Sequence, residues 1–248
     1  MPAKQKRKHR LLKWTLITGA AILIAAAVLY PYRFRLLQSF TDPDHNQYPI
    51  RGIDVSHHNG TIDWNAVAQQ DIRFAYIKAT EGTSFTDRKF ITNARLARQA
   101  GIKVGAYHFF RFDKDGKRQA DFFVKTFRKV HTDLPPVIDV EKHGNDTDVP
   151  QKDVIKRLKQ MVERLQQYGY KPVIYSNQHG YSAYYQSSLK HIDLWLASIT
   201  DPDIIRKSHK HTIQQYNQWG YLKGIKGHVD LDCFIGSETE WNQWLSNK

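Results

Sequence analysis

From Arg51 onward short apolar runs alternate with amphipathic stretches, and eight of the runs read as strands: residues 51–58 (RGIDVSHH), 73–80 (RFAYIKAT), 103–110 (KVGAYHFF), 135–141 (PPVIDVE), 171–177 (KPVIYSN), 191–198 (HIDLWLAS), 211–217 (HTIQQYN) and 228–234 (HVDLDCF). Helical periodicity falls between the earlier ones, over 87–100, 117–130 and 151–168, with Gly101 and Gly169 placed as C-caps. Strands alternating with helices predict an α/β fold with a parallel sheet and helices outside it. About eight strands in roughly 200 residues predict closure into a modified TIM-like barrel. The helical pattern fades after residue 198, so a regular eightfold repeat is not expected near the C-terminus.

A different pattern precedes the barrel. A basic tail over residues 1–13 leads into an uncharged run, residues 14–32 (WTLITGAAILIAAAVLYPY). Its length predicts a transmembrane anchor, with Trp14, Tyr30 and Tyr32 as interfacial aromatics. Six Lys/Arg precede the run and Arg33 and Arg35 follow it, which predicts a cytoplasmic N-terminus and an extracytoplasmic barrel in a single-pass membrane protein. A cleaved signal peptide is the alternative. Its small-residue cleavage candidate, Ala25-Ala26-Ala27, lies inside the apolar run, which favours the anchor. Residues 33–50 read as a polar spacer and 51–248 as the barrel domain.

Charge and composition narrow the function. The chain of 248 residues carries a formal +13, of which +8 lies in residues 1–35, leaving +5 for the rest. A modestly basic domain suits an anionic polymer, and the concentration of charge at the N-terminus argues against nucleic acid as a partner. Aromatic residues make up 12%, enough to line a carbohydrate cleft as well as to fill a core. Cys233 is the single cysteine, so no intrachain disulfide forms, and alternation places it on the apolar side of its strand.

Three acidic motifs carry candidate chemistry: Asp54 in GIDVSH, Asp139 and Glu141 in VIDVE, and Asp230 and Asp232 in HVDLD. On a strand, Asp139 and Glu141 share one face and stand roughly 6.5–7 Å apart at the backbone. Two carboxyls so placed raise one another's pKa, and burial adds to the effect. One can then donate a proton while the other stabilises a cationic centre, which is what glycosidic cleavage requires. Asp54 and Asp230 are expected at the same rim, where barrel enzymes gather their catalytic groups. Asp232 reads as a possible structural acid, Asp63 and Asp87 as helix N-caps, and Glu81 as a rim residue or a structural hydrogen-bond partner. The 12 histidines show neither H-x-x-x-H nor H-E-x-x-H spacing. No metal and no cofactor are expected. G-x-S-x-G, Walker A and G-x-G-x-x-G patterns are absent as well.

Taken in order, GIDVSHHNGTIDW, FAYIKATEG, AGIKVGAYHFF, PPVIDVE, LWLAS, QQYN and HVDLDCF resemble glycoside hydrolase family 25, the Chalaropsis-type lysozymes, over about residues 50–235. The resemblance implies five β/α units followed by three strands. It also implies hydrolysis of the β-1,4 bond between N-acetylmuramic acid and N-acetylglucosamine in peptidoglycan. Glu141 would be the general acid and Asp139 its partner carboxylate, with Asp54 and Asp230 as further acids of the cleft. Tyr107, Tyr175, Trp195, Gln215 and Tyr216 match positions that line the sugar site. His58-Asn59 departs from the usual aromatic–Gln pair, which bears on substrate preference. The partner is then a peptidoglycan glycan strand, and a monomer is expected. A chitinase-like N-acetylhexosaminide hydrolase and a non-catalytic peptidoglycan-binding module are the competing readings. The first lacks the longer D-x-x-D-x-D-x-E pattern. The second gives no reason for a paired acid and base.

Overall fold

The computed structural model describes residues 3–30, 42–146 and 148–246. The chain forms two units, Met1–Phe40 and Thr41–Lys248. The first holds one helix, Ala3–Leu29. Its uncharged part, residues 14–29, extends about 24 Å at 1.5 Å per residue, against a hydrocarbon core of about 30 Å. Among the described residues, no helix is long and apolar enough to cross a membrane. This corrects the transmembrane helix expected over 14–32, and with it the membrane as a partner and the single-pass localisation with a cytoplasmic N-terminus. The sequence expectation counts the apolar run through Tyr32, whereas the helix stops at Leu29. Residues 31–41, with Tyr32, Arg33, Arg35 and the first half of the expected spacer, lie outside the described residues.

The second unit is a closed barrel. Its strands are β1 (Arg51–Val55), β2 (Ile72–Glu81), β4 (Lys103–Phe109), β5 (Val137–Asp139), β6 (Val173–Asn177), β7 (Asp193–Ala197), β8 (Ile213–Gly220) and β9 (Val229–Phe234), with the short β3 (Phe85–Thr86) folded back on β2. The sheet runs β1-β9-β8-β7-β6-β5-β4-β2-β3, and β1 also pairs with β2, which closes the ring. Six of the eight barrel pairings are parallel, and β9 alone among the barrel strands runs antiparallel to both of its neighbours, β1 and β8. All eight barrel strands overlap the stretches read as strands in the sequence.

Helices follow the first five barrel strands: Trp64–Ala68 after β1, Phe90–Gln99 after β2 and β3, Gly116–Phe127 after β4, Gln151–Gln167 after β5, and helical turns over 178–185 after β6. Beyond β7 there is only the five-residue helix Pro202–Arg206, and Glu238–Ser246 ends the fold. Asp63 caps the first of these helices, accepting from the Asn65 and Ala66 amides. Asp87 does not stand at the cap of the helix predicted over 87–100. That helix starts at Phe90 after Lys89, because Asp87 turns its carboxylate toward His57 and the Lys89 amide.

Period-two alternation divides the core in two. Outward residues such as Ala75, Ile77 and Ala79 of β2 join the outer core under the helices. Inward residues such as Phe74, Tyr76, Val137, Val173, Trp195, Ile213 and Phe234 fill the barrel, with Trp241 of the last helix packed among them. The interior is too narrow for side chains on every strand. A Cβ on Gly52 would sit 2.3 Å from the Phe74 ring, so β1 contributes no side chain at that layer. Buried Cys233 belongs to the outer core, as its position on the strand implies.

Candidate active site

Along the inward faces of β1, β5 and β9, composition changes from apolar to acidic toward the C-terminal rim. On β5 Val137 is followed by Asp139, on β1 Gly52 by Asp54, and on β9, which runs the other way, Phe234 is preceded by Asp232 and Asp230. A cleft at this rim is lined by Asp54, Asp139, Glu141 and Asp230 together with Tyr107, Tyr175, Trp195 and Gln215. Eight of the nine residues expected at the site thus meet in one place. Tyr216 does not join them. It lies in the outer core with the Arg51 guanidinium 5.2 Å from its ring centroid, because neighbours on a strand face opposite ways.

The walls are held by a continuous set of contacts. Asp139, Tyr175 and Trp195 stand in register on β5, β6 and β7. The Tyr175 and Trp195 rings meet edge to face at 4.8 Å. The Tyr175 hydroxyl donates to Gln215 Oε1 at 2.9 Å, and Gln215 Nε2 donates to Asp54 Oδ2 at 2.7 Å. Trp195 Nε1 donates to Asp232 Oδ1 at 3.0 Å, which gives the fully buried Asp232 a structural contact beneath the cleft. Asp54 and Asp230 are direct cross-strand partners on β1 and β9.

Burial and mutual repulsion shift this whole set of acids. Burial, then Asp230, then Glu141 push the Asp54 carboxyl well above the usual range, while the Gln215 hydrogen bond opposes them. Burial and the Glu141 charge raise Asp230 to about 7. Asp139 is raised well above its ordinary value by burial, Glu141 and Asp54, against the opposing charge of Lys78. Glu141 is raised by burial and drawn back by the nearby His143 and Tyr175 side chains. Asp139 Oδ1 is buried without a hydrogen-bond partner among the described residues, so one of its lone pairs is available inside the cleft.

Alternation extended two residues further would have found Lys78 beyond Tyr76 and Phe109 beyond Tyr107. Both line the cleft, as do Ser56 and His58. Lys78 bonds Glu81 at 2.8 Å, and its ammonium lies 4.8 Å from the Phe109 ring centroid. Glu81, at the end of β2, is therefore a rim residue in an ion pair. Asn145 carried no sequence signal. It accepts from the Phe112 amide at 2.9 Å and donates to the carbonyls of Phe110 and Glu141 at 2.9 and 2.8 Å, tying the loop after β5 to the loop after β4. Among the described residues no group of three or more His, Cys, Asp or Glu is arranged to hold a metal ion.

A barrel with paired, partly buried carboxyls and aromatic walls at its C-terminal rim has the equipment of a glycoside hydrolase. The comparisons with known proteins are specific. The pattern of the glycosyl hydrolases family 25 matches residues 53–225. The YegX protein of Escherichia coli O157:H7 is 33% identical over 215 residues, covering 84% of this chain and 78% of its own. Lysozyme M1 of Streptomyces globisporus is 32% identical over 207 residues, 76% of this chain and 68% of its own. The solved structure of a family 25 glycosyl hydrolase from Bacillus anthracis superposes with a TM-score of 0.72 at 39% identity, covering 79% of this chain and 94% of that one. The chain belongs to glycosyl hydrolases family 25, and it is a glycoside hydrolase of the lysozyme type.

Proposed function

We propose that this protein hydrolyses the β-1,4 bond between N-acetylmuramic acid and N-acetylglucosamine in peptidoglycan, with Glu141 as general acid and Asp139 as its partner carboxylate. The observation that carries the reading is the pairing of these two groups on one face at the end of β5, in a cleft walled by Tyr107, Tyr175 and Trp195. Glu141 keeps its proton to higher pH than an ordinary glutamate and delivers it to the glycosidic oxygen. As the bond breaks, positive charge grows at the anomeric carbon. Asp139, with one oxygen unpartnered among the described residues, is suited to orient the substrate's acetamido group or to face that charge. Asp54 and Asp230 complete the acidic wall, and Gln215 and Tyr175 hold it in place. The aromatic rings cover the apolar faces of the sugar.

The test is digestion of purified peptidoglycan by wild type and Glu141→Gln, with the products identified by mass spectrometry. Fragments ending in reducing N-acetylmuramic acid from wild type, and at least a hundredfold slower release by the variant, are expected (about 10²–10⁴ for loss of a general acid). Reducing N-acetylglucosamine ends, or equal rates for the two proteins, would overturn the assignment.

A further inference from the structure

Most large aromatic side chains of the barrel unit are buried or half-buried. Among the described residues, those that are substantially exposed are Phe85 at 44%, Trp219 at 45% and Tyr221 at 52%. All three stand on the two hairpins that rise from the C-terminal rim, Phe85 on β3, and Trp219 and Tyr221 where β8 turns toward β9. Neither the catalytic assignment nor the barrel core accounts for the indole of Trp219.

The local backbone is built to present it. β8 pairs with β7 only through Gln215, so residues 217–220 extend past the barrel and pair with β9 alone. The β8–β9 register shifts twice, between Gln215 and Asn217 and again between Asn217 and Gly220. Such irregularities re-aim side chains at rims and beside active sites. The buried Asn217 accepts from the Trp219 amide through Oδ1 at 2.7 Å, fixing the turn. The His228 ring packs edge-on to the indole, with centroids 5.2 Å apart at 77°, which supports one side of the indole.

This feature also connects to the cleft. His228 stands immediately before β9, two residues ahead of Asp230. Its carbonyl accepts from Asn59 Nδ2 at 3.2 Å, in the turn that carries His58 into the cleft. Gln218 Nε2 donates to Gln215 Oε1 at 3.0 Å, and Gln215 in turn holds Asp54. Hydrogen bonds therefore tie the hairpin to the acidic wall.

We propose that Trp219, braced by His228, forms a saccharide subsite outside the cleavage cleft, taking the apolar face of an N-acetylhexosamine ring further along the same glycan strand. The subsite rests on the glycan-hydrolase reading above and adds an outlying contact to it. An indole face suits a pyranose ring because C–H groups cover one side of the sugar, and a preorganised ring binds with little loss of conformational freedom. The contact is made equally in the ground state and the transition state. It should therefore lower KM on long strands without changing kcat.

The test uses the full chain as wild type, Trp219→Ala and Trp219→Phe, on long peptide-free glycan strands and on the shortest glycan that is hydrolysed. Trp219→Ala should raise KM on long strands about tenfold with kcat unchanged, leave the short substrate unaffected, and be largely rescued by Trp219→Phe. A matching loss of affinity for long glycan, measured calorimetrically in the Glu141→Gln background, is expected. Equal effects on both lengths, a fall in kcat, or unchanged KM and affinity would overturn the subsite. Weakened glycan binding in a protein whose wild type releases no reducing ends would keep the subsite and remove the catalytic assignment. Normal hydrolysis with no effect of Trp219→Ala would do the reverse.

Discussion

Gln215 Nε2 donates to Asp54 Oδ2 at 2.7 Å across the rim of the barrel. The same amide accepts from Tyr175 and Gln218 through its other end, so one side chain sets the positions of an acid, an aromatic wall and a hairpin. Gln215→Ala leaves Asp54 without the bond that favours its ionised form. The Asp54 carboxyl, already raised by burial and Asp230, should titrate still higher, as read from its carbon resonance in a pH series. kcat should fall about tenfold, the worth of a hydrogen bond to a charged group. An unchanged titration would show that the amide does not support the charge.

Glu141 is held above the ordinary glutamate range by burial. The pH profile of kcat should therefore keep its acid-dependent activity beyond the pH where an exposed glutamate ionises, then fall as Glu141 loses its proton. In Glu141→Gln that alkaline limb should vanish along with most of the rate. Persistence of the limb in the variant would assign it to another group.

Asp230 carries a stability cost that depends on pH. Its carboxyl titrates at about 7 in the folded protein and near 3.9 when unfolded. The folded state binds the extra proton between those values, so stability is undiminished below pH 4, declines as pH rises toward 7 and stays reduced above it. Asp230→Asn removes the charge. Its Tm should match wild type near pH 3.5 and exceed it increasingly up to pH 7, by about 2–4 °C for each kcal/mol relieved. A constant difference at all pH values would exclude ionisation as the cause.

Asn145 makes three hydrogen bonds that hold the loop carrying Glu141 against the loop after β4. Asn145→Ala strands the Phe112 amide and loosens the Glu141 backbone. A stability loss of about 1–3 kcal/mol by denaturant titration is expected. kcat should fall more than KM rises, because the acid loses its aim rather than the sugar its contacts. A loss of stability with kcat intact would make Asn145 structural only.

The eight barrel strands were legible as short apolar runs set between polar and helical stretches, and the acids of β1, β5 and β9 were legible because charge on an inward strand face needs a purpose. The alternation of side chains along a strand separates Gln215 from Tyr216, one in the cleft and the other in the outer core. The irregularities in β8 that present Trp219 break the period and leave no pattern to read. Asp87 illustrates a different limit. It has the composition and position of a helix cap, but accepts from His57 Nδ1 at 2.7 Å, a partner 30 residues away that no local window contains. The N-terminal helix spans Ala3–Leu29, and the last two residues of the apolar run, 31 and 32, lie outside the described residues.

The antiparallel β9 has a consequence for how the chain reaches this state. Asp54 and Asp230 are adjacent in the barrel and roughly 175 residues apart in sequence, among the longest contacts available to the unit. During synthesis, the β1 and β8 edges wait for the last strand to leave the ribosome, each presenting unpaired amides and carbonyls. Closure is thus a late, slow step, and the period before it is when the nascent polypeptide is most open to aggregation and most dependent on chaperones.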